Sequence, residues 1–411
     1  MASICFYFQV HQPYRIKRYR IQDVGQHSRY FDHQDQTNLN NRWILNKVSK
    51  KCYLPANELF IKLLRKYPEL KISYSLSGVF LEQIRDWQPR VLRSFQALVA
   101  TGQVEILAET YYHSLASLYS EQEFTDQIAQ HRSIVKDLLG VEPRVFRNTE
   151  LIYSDQIVAH IKKLGYLAMI TEGADHILDW RSPNFLYQAS ESELPLLLKN
   201  YKLSDDIAFR FSSKDWSGYP LTAPKFAQWL SAINGSGELI NLFMDYETFG
   251  EHQWQSTGIF EFLEALPGEL LKHPDNDFIT PSEVVERYEP IAKLSIPEPI
   301  SWADVERDLS AWRSNSIQQQ ALEEIYSLES EVKKSQNNQL LTDWRRLQTS
   351  DHFYYMCTKW FADGDVHKYF NPYESPYEAY IAYANCLADL KLRLEEEQVN
   401  LSNQVSAMVQ S

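Results

Sequence analysis

The chain has 411 residues, a formal net charge of −13 and an aromatic content of 13%, with 10 Trp and 25 Tyr. That length supports one large domain and a smaller one, and so acidic a chain excludes a nucleic-acid partner, which needs a basic footprint. The cysteines Cys5, Cys52, Cys357 and Cys386 form neither a CxxC pair nor a disulfide framework, no apolar run is long enough to span a membrane, and residues 1–10 lack a basic leader, so the expected setting is reducing and cytoplasmic, with no membrane partner.

The chain opens on Ile4-Cys5-Phe6-Tyr7-Phe8-Gln9-Val10, an apolar run of strand length that ends at His11-Gln12-Pro13, where proline stops the ladder. Residues 14–51 are polar and long for a loop, which points to short helices or to function. Helical spacing follows from Pro55 to Tyr67, then a strand from Leu70 to Leu76 and a second helix from Val79. Gly102 to Ala108 reads as a third strand running into Glu109 and His113. Ser120 with Glu123 makes a capping box for a helix that Gly140 closes. The fourth strand, Val145-Phe146-Arg147-Asn148-Thr149-Glu150, ends in an acid, and Ser154 caps the helix after it. The fifth runs from Leu167 to Thr171 and into Glu172. A less regular sixth unit covers Leu194 to Leu198 and Ile207 to Phe211, with Trp216 in the loop beyond. The seventh strand starts at Glu238 and passes abruptly into Asp245-Tyr246-Glu247-Thr248-Phe249-Gly250-Glu251-His252.

Alternating strands and helices imply an α/β fold of parallel units, and polar residues recurring at several strand ends favour a TIM-like barrel over a doubly wound sheet with one crevice. Pro297 and Pro299 mark a hinge. The expected domains are therefore a barrel over residues 1–297 and a helical bundle over 298–399. The final twelve residues, 400–411, lack periodicity and are expected to be disordered.

Two carboxylates on two strand ends are the minimum equipment for cleaving a glycosidic bond, one to attack the anomeric carbon and one to protonate the leaving oxygen. In the retaining mechanism they face each other about 5 Å apart, which strands distant in sequence achieve only by converging. Glu150 and Asp245 are the best-placed pair; Glu105, Glu109, Glu172, Glu247 and Glu251 compete. Taken singly, an acid at a strand end is more often an ordinary solvated residue. A zinc hydrolase would need a coherent ligand set, and His11, Asp245 and His252 are scattered without HxH or HExxH spacing, so no metal or cofactor is expected. Neither GxSxG nor a Walker loop is present.

On these residues the chain resembles glycoside hydrolase family 57, in particular its short α-amylase branch. His11-Gln12-Pro13 is similar to the family's first motif, Gly102-Gln103-Val104-Glu105 to its second, Phe146-Arg147-Asn148-Thr149-Glu150-Leu151 to its third, Met244 to His252 to its fourth and Leu347-Gln348-Thr349-Ser350-Asp351-His352 to its fifth. Three-residue motifs are weak singly; five in order are a specific signal. The resemblance implies an incomplete (β/α)7 barrel followed by a helical bundle that completes the cleft. It implies Glu150 as nucleophile and Asp245 as acid/base, with His11, Glu105 and Asp351 holding the sugar beside the cut. Gln12, His113, Trp216, Phe249, His252, Trp302 and His352 complete the expected substrate-binding set. Trp312-Arg313-Ser314-Asn315 stands where the branch has Trp-Leu-Gly-Asn, a departure at the edge of the expected cleft. The implied activity is retaining hydrolysis of α-1,4-linked glucans or maltooligosaccharides. A 4-α-glucanotransferase or branching enzyme sharing the same covalent intermediate is the alternative, and a non-catalytic glucan-binding protein the reading from another class.

Overall fold

The structure is a computed structural model and describes residues 2–26, 29–31, 38–359 and 366–409. Its strands are β1 (Ala2–Val10), β2 (Ile72–Leu76), β3 (Val104–Ile106), β4 (Val145–Arg147), β5 (Ala168–Glu172), β6 (Leu186–Ala189), β7 (Pro195–Lys199), β8 (Leu239–Asp245), β9 (Asn276–Phe278) and β10 (Lys293–Leu294). They form two sheets. One runs β3-β2-β1-β8, with β9 beside the start of β1; the other runs β10-β6-β7-β5-β4. Every pairing between them is parallel except β6 with β7. β1 is buried along its whole length, as a parallel strand covered on both faces must be, and its stretch Ile4–Phe8 is accordingly apolar throughout.

The sheets meet along two seams. At one, Ala108 bridges Phe146 in parallel, with Ala108 N–H donating to Val145 O at 2.9 Å and Arg147 N–H to Ala108 O at 2.8 Å. At the other, the Asn241 amide donates to Leu198 O and the Asn200 N–H to Asn241 O, each at 2.9 Å. Cys5, Tyr7, Leu107, Val145, Ile170, Leu197 and Phe243 pack into one cluster drawn from both sheets. Because the strands are parallel, their C-terminal ends share one edge. Gln9, Glu109, Arg147, Glu172, Lys199 and Asp245 are therefore gathered there by topology alone.

Two features depart from the sequence expectation. Within the irregular sixth unit, Leu196–Leu198 lie in β7 and Ile207 in the helix Tyr201–Ala208, whose start is fixed by the Asn200 side chain accepting from Leu203 N–H at 3.1 Å. The partner of β7 is the antiparallel β6, a strand not legible beforehand. The compact units also divide the chain differently from a single cut at 297. One unit comprises residues 1–12, 45–111 and 126–308, and the other comprises 13–44, 112–125 and 309–411.

The second unit is helical, with Ser316–Ser327, Glu329–Ser335, Asn338–Arg346 and Pro376–Val409 as its main helices. The last of these continues to Val409, through residues expected to lack structure. On it Tyr383, Leu387, Leu390 and Leu394, spaced three and four apart, are buried, and Tyr380 at the head of the same spacing is half-buried. Ser120 Oγ accepts the Glu123 N–H at 3.1 Å, as a capping box requires. The Glu123 carboxylate, however, turns away to Arg345 at 2.7 and 3.1 Å and to Lys333 at 3.0 Å, tying 112–125 to the later helices. Among the described residues no helix is long and apolar enough to cross a membrane.

Candidate active site

β4 ends in a turn that throws Glu150 off the strand axis. Glu150 and Leu151 have φ of 57° and 52°, a left-handed conformation that costs a non-glycine residue of order 1 kcal/mol and persists only where its surroundings enforce it. The surroundings are specific. The Asn148 amide donates to Ile152 O at 2.9 Å, Thr149 and Thr110 share a hydroxyl hydrogen bond of 2.8 Å, and Trp302 N–H donates to Glu150 O at 3.2 Å. The Trp302 indole N–H then donates to Glu150 Oε2 at 2.7 Å. A donor on a carboxylate is among the stronger hydrogen bonds available to a protein, and it fixes where this carboxyl points.

Trp302 is itself held by charge. The Arg147 guanidinium and Lys199 Nζ each lie 5.2 Å from its ring centroid. Arg307 donates to its carbonyl oxygen. Arg307 and Lys199 also share two acids: Glu172 lies 3.6 Å from Arg307 and 3.7 Å from Lys199, and Asp205 lies 3.4 Å from both. Burial raises the pKa of Glu172, and the two cations oppose that shift. Arg147 is fully buried, with Glu109 at 3.9 Å. The Glu109 N–H donates to His131 Nδ1 at 3.3 Å, which makes Nε2 the protonated nitrogen that donates to Leu76 O at 2.9 Å. Burial keeps this imidazole neutral.

Asp245 ends β8 in register with Gln9 of β1. Tyr7, two residues before Gln9 on β1, shares its face of the strand. Its hydroxyl bonds Gln9 Oε1 at 2.7 Å and Ser75 Oγ at 2.6 Å. Burial foremost raises its pKa, and the charges of Arg147, Glu109 and Asp245 all reach it. Past Asp245 the chain makes the tight turn Tyr246–Thr248, which carries Glu247 inward onto the Tyr53 hydroxyl. The next bend needs glycine: Gly250 has φ +114°, and a Cβ there would sit 2.0 Å from Lys51 O. Phe249 is 1% exposed and packs on Phe8, Phe60 and Tyr246, so its ring has no face left for a sugar. His252 is held neutral, its pKa pulled down to about 4 by burial against the Glu251 charge.

The other expected residues fall in several places. His11 Nδ1 bonds Ser77 Oγ at 2.7 Å, and Gln12 Nε2 donates to Tyr53 at 3.1 Å. Glu105 lies deeper. Its carboxylate accepts the Ser282 N–H at 2.9 Å and hydroxyl at 2.5 Å, at the start of the helix Pro281–Arg287. Burial raises its pKa and these bonds lower it; Glu109, four residues on, occupies the strand-end position. Trp216 packs edge-on against Trp229 at 6.0 Å with Arg210 over its ring. In the helical unit, Ser350 N–H donates to His113 O at 2.9 Å, which brings His113 beside the Asp351 segment. His352 Nε2 bonds Arg346 O at 3.1 Å, and its ring lies between Phe31 and Tyr383. Arg147, Lys199, Arg307, Tyr7 and Tyr53 were missed. Only the lone Arg147 inside an apolar strand gave any signal.

The family model for glycosyl hydrolase family 57 matches residues 5–297. The chain belongs to that family. It is 44% identical over 404 residues to a Methanocaldococcus jannaschii protein provisionally named an alpha-amylase, covering 96% of this chain and 85% of the relative. Solved structures share the fold at low identity. A Pyrococcus horikoshii branching enzyme of the family aligns with a TM-score of 0.65 at 14% identity, over 87% of this chain and 86% of its own. A Thermotoga maritima alpha-amylase aligns at 0.62 and 14%, over 97% and 93%. The Thermococcus litoralis 4-alpha-glucanotransferase aligns at 0.64 and 16%, over 86% of this chain, which spans only 56% of that longer protein.

Proposed function

We propose that the protein is a retaining, α-amylase-like glycosidase of α-1,4-linked glucans, with Glu150 as nucleophile and Asp245 as general acid/base. The observation that carries this reading is the Trp302 indole N–H on Glu150 Oε2 at 2.7 Å, at a turn where Glu150 and Leu151 both take left-handed backbone angles. A carboxylate aimed in this way suits in-line attack on an anomeric carbon. In the first step Glu150 forms the glycosyl ester while Asp245 protonates the departing oxygen. In the second, Asp245 takes the proton of an incoming water, which attacks the ester and releases the sugar. The two sheets, joined at both seams, are read as one incomplete (β/α)7 barrel that presents these groups at its C-terminal edge, with His11 and Gln12 as glucan contacts. The name of the Methanocaldococcus jannaschii relative supports hydrolysis of α-glucans as the outcome.

The test is stereochemical. Two displacements at one carbon restore its configuration, so proton NMR in the first minutes of maltooligosaccharide hydrolysis is expected to show the α-anomer before mutarotation. Initial β-anomer would mean a single displacement by water and would remove Glu150 from the nucleophile's role.

A further inference from the structure

Trp302 rides on a short loop, residues 301–308, whose ends are drawn together. The Ser301 N–H donates to Arg307 O at 3.1 Å, Ser301 Oγ donates to Asp308 O at 2.6 Å, and the Ala303 N–H donates to Ser301 Oγ at 3.1 Å. Just before the loop, Ile300 and Tyr153 exchange backbone hydrogen bonds of 3.0 Å, three residues past Glu150. The Arg307 side chain turns back across this loop. Its Nη1 donates to Trp302 O and lies 3.6 Å from Glu172, and its Nη2 lies 3.4 Å from Asp205. Its Cζ stands 4.7 Å from the centre of the Tyr201 ring. Glu172 ends β5 and Asp205 lies in the helix Tyr201–Ala208, so one guanidinium ties the Trp302 backbone to two other elements. Lys199 shares the same two acids, and none of the four side chains is more than 14% exposed. The cluster is therefore unlike an exposed ion pair, which contributes little.

We propose that Arg307 is a positioning residue for the nucleophile, which holds the Trp302 carbonyl against Glu172 and Asp205 and so aims the indole N–H at Glu150. The inference rests on the reading of Glu150 as nucleophile. Hydrogen bonds make up the whole path. Arg307 holds the Trp302 C=O, the Trp302 backbone N–H donates to Glu150 O at 3.2 Å, and its indole N–H donates to Glu150 Oε2 at 2.7 Å. The N–H and C=O of one residue belong to successive rigid peptide planes, so pinning both fixes the two soft dihedrals between them and the direction of Cβ. The indole bond then has one place to land. Such bonds weaken steeply with angle, and a reacting group misplaced by about 1 Å loses about a hundredfold in rate. The task suits a planar fork, which reaches the carbonyl and both acids at once, as a compact ammonium does not.

The experiment is a double-mutant cycle of Arg307→Lys with Trp302→Phe, read by steady-state kinetics on a maltooligosaccharide. Arg307→Lys keeps the charge of the cluster and removes the fork. It is expected to lower kcat/KM about tenfold, through kcat, with KM within about twofold of wild type. In the Trp302→Phe background no indole N–H is left to aim, so there the same substitution is expected to cost less than about twofold. Equal losses in the two backgrounds, a loss carried by KM alone, or an unchanged kcat/KM in the single variant each overturn the proposal. A second readout is independent of turnover. In a proton–nitrogen NMR spectrum of the indole groups, the Trp302 signal is identified by its absence from Trp302→Phe. Weakening the bond to Glu150 is expected to move it upfield in Arg307→Lys, and an unmoved signal overturns the proposal. Should circular dichroism show Arg307→Lys unfolded, Arg307→Gln, which also lacks the charged fork, takes its place with the same expectations. Trapping the glycosyl ester separates the underlying reading. A label away from Glu150 removes the nucleophile and this inference with it; a label on Glu150 with equal losses in both backgrounds removes the inference alone.

Discussion

Trp302 was expected among the residues that bind substrate, and its indole N–H donates to Glu150. Replacing it by Phe keeps a ring for Arg147 and Lys199 and removes only the N–H. A hydrogen bond to a charged group contributes about 1.5–3 kcal/mol, so Trp302→Phe is expected to lower kcat/KM roughly 10–100-fold without unfolding the protein. Steady-state kinetics beside a circular-dichroism melt check this; activity within twofold of wild type would show that the indole does not orient the nucleophile. At this scale the sequence is legible in kind and poor in depth. Glu105, Leu107 and Glu109 share one face of a strand by its period of two, yet each step of two residues moves a side chain about 6.6 Å along the strand. Nothing local reveals that Ser282, far along the chain, has already claimed Glu105. Lys199 and Arg307 were invisible for the same reason, since a lone cation has no spacing to betray it.

At the scale of elements, the parallel strands and the helices between them followed from apolar runs and caps. Ser154, for example, accepts the Ile157 N–H at the start of the helix Asp155–Lys163, as read from the sequence. The irregularity near residue 207 is equally physical. A short apolar run suits strand or helix, and here the Asn200 cap decided for the helix. The segment after β8 shows how one residue serves an element. At Gly250 both the left-handed φ and the contact with Lys51 O forbid a side chain. Gly250→Ala should therefore cost more than about 2 kcal/mol, measured as a lowered urea midpoint with an unchanged m-value. Wild-type stability in that variant would mean the turn can open there, and the placing of Glu247 against Tyr53 would lose its support.

At the scale of the molecule, the division of the chain was the least legible feature. Residues 13–44 have no periodicity that assigns them to a helical unit. They are tied into it by contacts distant in sequence, such as Tyr373 Oη to Ile16 O at 2.8 Å and the Asn385 amide to Tyr19 O at 3.0 Å. That Asp245 closes a parallel strand, and Glu150 the turn after another, was legible by contrast, because the apolar runs mark where strands end. The central claim is that Glu150 carries the sugar between two displacements. It is tested most directly by trapping that ester with a 5-fluoroglycosyl fluoride of the α-gluco series, digesting the inactivated protein with pepsin and sequencing the labelled peptide by mass spectrometry. The sugar is expected on Glu150. A label on Glu109, Glu172 or Asp245 would contradict the assignment.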